Sequence, residues 1–396
     1  MTGAGPDGPR IARRVERMSP GRLFRLLNEG HKHDAVDMAL GVPEAPPTPP
    51  ALVEEACAAL RSGRNQYEIP DGSLELRTAI AESLAAPTDP ATMLTITVGA
   101  TEALFVSVLA TVDPGDEVVI LEPFYENFVS AVALAGGTPR LVRMRPPGWR
   151  FDPDELAAAF GPRTSAIILS TPNNPTGHVL TAAEIDTIAA LCDRWNAVAI
   201  VDEIYSGFTF DGHRHRSPGD HPALRDRSLV IGSMSKTQAV SGWRVGYLRA
   251  SPALTEVARR VHVVACGGTA APLQRAVARA AAADPAFSTP SDGLERQRDL
   301  TVAAFAQIGV RCIPPDGGCY TIGDIRPATR EDSEAFAFRL IEEAGVTVAP
   351  GGYFHHDARL GAGFVRISFN RRIDTLLDVE RRLAGLRPAR DVEQRV

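Results

Sequence analysis

Lysine is nearly absent from this chain. Of its 42 Lys and Arg residues only two, Lys32 and Lys236, are lysines, and every other positive charge is an arginine. Cysteine is also sparse: Cys57, Cys192, Cys266, Cys312 and Cys319 contain no CxxC pair. Cys312 and Cys319 have no His or Cys at zinc spacing nearby, so no metal site is expected and the thiols suit a reducing compartment. No apolar run approaches membrane-spanning length, and the opening "MTGAGPDGPRIARRVERMSP" lacks the apolar core of a signal peptide. A cytoplasmic protein is therefore expected. A net charge of −6 over 396 residues gives no reason to expect nucleic acid or a membrane surface as partner. Repeats and low-complexity tracts are missing too. What remains is a chain with 44% hydrophobic residues, long enough to bury a large core in two or three domains.

The scarcity of lysine makes Lys236, in "SMSKTQAVSGWR", conspicuous. Arginine serves solubility, ion pairs and anion binding, but its guanidinium stays protonated and is a poor nucleophile. A primary amine can lose its proton when desolvated and condense with a carbonyl. A lysine set among small hydroxyl residues suggests Schiff-base chemistry, although one residue alone is also what chance would leave.

Short β-branched runs alternate with amphipathic stretches through the middle of the chain. "TITVG", "EVVILEP", "SAIILSTP", "AVAIVDEIY", "SLVIGSMS" and "VGYLRAS" read as strands. Between the third and fourth, "TAAEIDTIAALCDRWN" reads as a helix with Thr181 as N-cap and Glu184 three residues on. Apolar strands in series with helices predict a largely parallel sheet covered on both faces. The proline-rich "EAPPTPP" leads into another helix, and after about residue 293 the pattern becomes α+β.

In open α/β sheets ligands bind beyond the carboxyl ends of the strands, where this chain places its polar residues. Gly99, Ala100 and Thr101 lie between a strand and a helix, where backbone N–H groups and the helix dipole suit a phosphate. Taken alone, this is also an ordinary strand–helix turn. In "STPNNPTG" the amide of Asn174, held by the following proline, can hydrogen-bond a phenolate oxygen or a carboxylate. "VDEIY" supplies Asp202 and Tyr205. A buried Asp at a strand end is costly unless something cationic meets it, though it is also a common helix cap. Ser233, Ser235 and Arg244 would complete a site for a dianionic phosphate beside Lys236. A cationic ring nitrogen would satisfy Asp202, and a ring hydroxyl would satisfy Tyr205 and Asn174. One cofactor meets these demands together: pyridoxal 5′-phosphate, whose protonated ring drains electrons from a substrate α-carbon.

The whole chain resembles a class I/II aminotransferase of the fold-type I superfamily. "NNPTG", "VDEIY", "SMSKTQAVSGWRVGY" and "VRISFN" stand in that family's order and spacing. The resemblance implies an α/β large domain, residues 49–292, on a mostly parallel seven-stranded sheet flanked by helices. It implies a smaller α+β domain built from both termini: 1–48, with an N-terminal arm, and 293–396. Tyr125 matches a ring that stacks on the cofactor. Gly41 matches a backbone contact to the substrate carboxylate, and Arg366 the arginine that clamps it. Tyr67 matches a tyrosine reaching the cofactor phosphate of a neighbouring subunit, which implies a homodimer with shared sites. His178, just past the motif, is expected to be surface variation.

The resemblance implies transfer of an amino group between an L-amino acid and a 2-oxo acid, with Lys236 as Schiff-base lysine and proton shuttle. Lyases, cyclopropane-forming synthases and amino-acid cyclases share the fold and cofactor residues, so that alternative stays open. A non-catalytic sensor behind a DNA-binding module is disfavoured, since only some 18 residues precede "SPGRLFRLLNEG". His355, His356, Glu44 and Glu126 are weighed as substrate contacts, against ordinary solvated loop residues.

Overall fold

The structure is a computed structural model. It describes residues 11–386 except 17, 19–20, 64, 285–286 and 288–292. The first ten residues of the expected N-terminal arm thus lie outside the described residues.

The central sheet runs, in spatial order, Leu94–Val98, Val245–Ala250, Ser228–Ser233, Val198–Asp202, Thr164–Ser170, Glu117–Glu122, Thr138–Arg145 and Arg150–Phe151. Six of the seven longer strands are the runs read from the sequence, Thr138–Arg145 is a seventh, and the sheet has an eighth where seven are expected. Arg150–Phe151 folds back antiparallel on Met144 and Arg145, drawn in by burial of Trp149 and Phe151. Val245–Ala250 is antiparallel to both of its neighbours, and the remaining long strands run parallel.

Two-residue alternation along the strands divides the core between the sheet's two faces. Ile167, Leu169, Val119 and Val201 pack on one side with Ile185 and Ile188 of the helix Ala182–Trp195. Ala166, Ile168, Val118 and Ile200 point to the other side, against Leu104 and Val108 of the helix Gly99–Thr111. Side chains such as Ile168, 1% exposed, each contribute roughly 1.5–3 kcal/mol by leaving water. The helix Ala182–Trp195 starts where expected: Thr181 Oγ1 accepts from Glu184 N–H, and the Glu184 carboxylate accepts from Thr181 N–H.

A second, antiparallel sheet holds Arg311–Ile313, Tyr320–Asp324, Phe364–Ser368 and Ala349–Pro350. Val36–Asp37 pairs in parallel with Val346–Thr347, so segments from both ends of the chain share this region. Its core joins Leu26 and Met38 to Phe336, Leu340, Ile367 and Leu376. Among the described residues, no helix is long and apolar enough to cross a membrane.

Candidate active site

Topology assembles the site. The parallel strands ending at Val98, Ser170, Asp202 and Ser233 deliver the residues after them to one edge of the sheet. Val245–Ala250 runs the other way, with Val245 opposite Val98 and Gly246 opposite Ser233. Arg244, just before that strand, therefore reaches the same edge from the opposite direction. It adopts a left-handed backbone with φ 54° and donates from Nη1 to Ser241 O at 2.9 Å. Its guanidinium lies against Gly99, where a Cβ would collide with it and where φ is +69°. The positive φ favours glycine at this position, and a side chain there would also displace the guanidinium.

A cavity of about 280 Å³ opens at this edge. It is lined by Gly41, Ala100, Thr101, Tyr125, Asn174, Asp202, Tyr205, Ser233, Ser235, Lys236, Arg244 and Arg366. Every sequence-derived site residue is in that set except Gly99, which abuts Arg244, and Tyr67. Tyr67 lies outside the cavity and is 98% exposed.

Lys236 Nζ donates to Gly41 O at 2.6 Å and stands 5.9 Å from the centre of the Tyr205 ring. Burial holds this amine below its ordinary pKa, and the charges of Arg366 and Arg371 push the same way. Asp202 is buried and accepts from Ile204 N–H at 3.2 Å. Burial raises its carboxyl to about 7, with Glu203 adding to the rise. Among the described residues no side-chain cation bonds to it, so a cationic group entering the cavity would relieve an electrostatic cost. Tyr205 donates to the Tyr320 hydroxyl at 3.3 Å, and burial lifts its phenol well above the usual value.

Arg366 is sandwiched between Tyr320 and Phe354, 4.1 and 4.4 Å from their ring centres. Nη1 donates to Asn174 Oδ1 at 2.8 Å and Nη2 to Ala39 O at 2.6 Å, while its buried Nε has no hydrogen-bond partner among the described residues. Ser233 Oγ donates to Ser235 Oγ at 2.7 Å and accepts from Ser235 N–H, capping the turn Met234–Thr237. Tyr125 OH accepts from Asn127 Nδ2 at 2.8 Å, and burial raises its phenol to about 12. A Cβ on Gly41 would run into the Tyr320 hydroxyl, so glycine keeps this wall open.

These observations fit the expected cofactor. The hydroxyls and Arg244 around the Gly99–Thr101 turn suit a phosphate, unneutralised Asp202 suits a ring nitrogen, and Lys236 supplies an amine.

Sequence reasoning passed over Tyr320 and Phe354, which hold Arg366. Tyr320 opens a strand after "GGC", where nothing local distinguishes it from a packing residue. His178 is a correction: it is buried, not on the surface. Its Nε2 lies 3.1 Å from Glu184 and its Nδ1 3.2 Å from Asp316. The loop 315–318 covers it, anchored by Gly317 N–H donating to Gly177 O at 2.9 Å. His355 and His356 line an adjacent cavity of about 390 Å³, and Glu44 bonds Thr375 outside both. Glu126 lines both cavities.

The family model described as aminotransferase class I and II matches residues 34–379. A probable N-succinyldiaminopimelate aminotransferase of Mycobacterium tuberculosis is 35% identical over 374 residues, covering 90% of this chain and 94% of that one. Human kynurenine–oxoglutarate transaminase 1 is 33% identical over 346 residues, covering 81% of this chain and 82% of its own. The solved structure of an Escherichia coli methionine aminotransferase superposes with a TM-score of 0.90 at 29% identity, covering 96% of this chain and 100% of that one. The chain therefore belongs to the class I and II aminotransferases, enzymes that depend on pyridoxal 5′-phosphate and act on amino acids and 2-oxo acids.

Proposed function

We propose that the cavity around Lys236 is where this aminotransferase works, with each lining residue in a specific role. The observation that carries the reading is the convergence of Lys236, Asp202 and Arg366 on one cavity from three separate segments. The bound cofactor supplies an electron sink for the substrate α-carbon. Asp202 holds the positive charge of the ring nitrogen, and Tyr205 and Asn174 hold its hydroxyl. The Gly99–Thr101 turn, Ser233, Ser235 and Arg244 hold the phosphate, and Tyr125 packs on the ring face. Arg366 anchors the substrate α-carboxylate with Gly41 beside it. Lys236 carries the cofactor at rest, then moves the proton that leaves the α-carbon. Its lowered pKa supports that task, because burial favours the uncharged amine, the form that can accept a proton.

The cavity wall also includes Leu23, Phe24, Leu27, Leu40 and Val42. This supports a donor amino acid with a bulky, mostly apolar side chain. The exposed ring of Tyr67, together with exposed Ile69, Val263 and Val264, supports a homodimer in which Tyr67 serves the partner's site. Division into a large domain, 49–292, and a small domain from 1–48 and 293–396 belongs to the same proposal. Pairing of Val36–Asp37 with Val346–Thr347 supports it.

The test is a half-reaction. Loaded enzyme given an amino acid and no 2-oxo acid should release one equivalent of 2-oxo acid, stop, and resume when an acceptor is added. After borohydride reduction, the cofactor mass should map to the peptide carrying Lys236, and Lys236→Arg should lose it. Sustained turnover without acceptor, with release of ammonia or a cyclised product, would decide for a lyase or cyclase.

A further inference from the structure

At the start of the helix Gly99–Thr111, three metal-ligating side chains converge outside the cavity. Glu102 stands in that helix's first turn. His262 and Cys266 lie four residues apart, on one face of the helix Pro252–Cys266. His262 Nδ1 is 2.8 Å from Glu102 Oε1 and 3.6 Å from Cys266 Sγ, and the three donor atoms lie within 4.8 Å of one another. The other ring nitrogen, Nε2, sits 2.7 Å from the carbonyl oxygen of Pro70. A carbonyl can only accept, so Nε2 carries a proton. Nδ1 then faces a carboxylate and a sulfur, and only a cation between them, proton or metal, makes that arrangement favourable.

The spacing suits a metal. A tetrahedral zinc ion with Zn–N of about 2.0–2.1 Å and Zn–S of about 2.3 Å sets nitrogen and sulfur about 3.6 Å apart. That is the Nδ1–Sγ separation observed. The nitrogen–oxygen gap must open by only about half an ångström to match the same geometry. The Nε2–H bond to Pro70 is the outer contact that orients a ligating imidazole. The second oxygen of Glu102 accepts from Val98 N–H, which fixes the carboxylate. Mixed sulfur, nitrogen and oxygen donors favour zinc over hard cations such as magnesium or calcium. Cys266 is exposed, which leaves a path for entry.

We propose that Glu102 Oε1, His262 Nδ1 and Cys266 Sγ form a three-ligand site for a zinc-class divalent cation, with water as fourth ligand. Binding displaces the Nδ1 and thiol protons to solvent. The ion joins the helix that carries the Gly99–Thr101 turn to the end of a second helix. Through Pro70 it also braces the loop that presents Tyr67. Cysteine spacing could not predict this site, because two of the donors lie more than 150 residues apart.

The test uses cofactor-loaded, reduced enzyme and Zn²⁺ in competition with a chromophoric chelator, alongside thermal unfolding. The wild type should take up one equivalent and unfold at a higher temperature with zinc. Cys266→Ser should lose both the zinc-dependent shift and more than about tenfold in affinity, since even outer contacts are worth that much. Glu102→Gln should weaken binding in the same direction, while Cys57→Ser, at a remote thiol, should bind as the wild type does. Absence of uptake by the wild type, equal uptake by Cys266→Ser, or equal loss in Cys57→Ser would overturn the proposal.

Discussion

Arg366 and Asn174, 192 residues apart, meet in the cavity, where the guanidinium donates to the amide oxygen at 2.8 Å. That contact fixes which way the amide points. With its oxygen turned to Arg366, Asn174 directs its NH₂ away from the guanidinium, where it can donate to an oxygen. One arginine thus sets the orientation of its neighbour.

Replacing Arg366 with lysine keeps the charge and loses the fork. Arg366→Lys should lower kcat/KM roughly tenfold to a hundredfold, from loss of about 1.5–3 kcal/mol of charged hydrogen bonding. The loss should appear mainly as a raised KM for the amino acid. A variant with wild-type KM would mean that the carboxylate is held elsewhere.

Asp202 predicts a pH dependence in the cofactor-free protein. Its carboxyl is raised from 3.8 to about 7 by burial, so between those values the folded state binds more protons than the unfolded one. Stability should therefore fall as pH rises from about 4 to about 7, by on the order of 4 kcal/mol from this group. Asp202→Asn should flatten that decline in denaturant titrations while lowering turnover of the loaded enzyme by orders of magnitude. An unchanged slope would show that Asp202 already has a charge partner.

His178 predicts a decline of the same sign, displaced to higher pH. Its pKa is raised above 6.5 because the hydrogen bonds and charges of Asp316 and Glu184 outweigh burial. The stabilisation is full below the unfolded value and fades as pH rises through the native one. Glu184, drawn down to about 2 by His178 and Thr181 against its own burial, keeps its share until strong acid. His178→Asn should cost roughly 1–3 kcal/mol, most between about pH 4.5 and 6.5 and less at pH 9. A cost independent of pH would mean that His178 acts by shape alone.

Tyr67 predicts complementation. If it serves the partner's site, Tyr67→Ala and Lys236→Arg should each be nearly inactive, and mixing them under exchange conditions should restore activity. In a hybrid dimer, one site has Lys236 from one chain and Tyr67 from the other. A fully active monomer, or no recovery in demonstrated hybrids, would refute sharing.

The sequence by itself determined what a few neighbouring residues can specify. Strand alternation in "SAIILS", the capping box of Thr181 and Glu184, and the polar residues after each strand are local, set by backbone geometry within a turn or two. Lys236 stood out for chemical reasons, because no other residue type in an arginine-rich chain does what an amine does. Tertiary structure decided the rest. Only packing across the chain showed that Arg366 lies between Tyr320 and Phe354, and that the loop 315–318 turns His178 inward between two carboxylates. The same holds for Glu102 meeting His262 and Cys266, and for Trp149 and Phe151 pulling in an eighth strand. Such contacts depend on how helices seat on the sheet, a long-range balance of volume and burial that no short stretch of residues encodes.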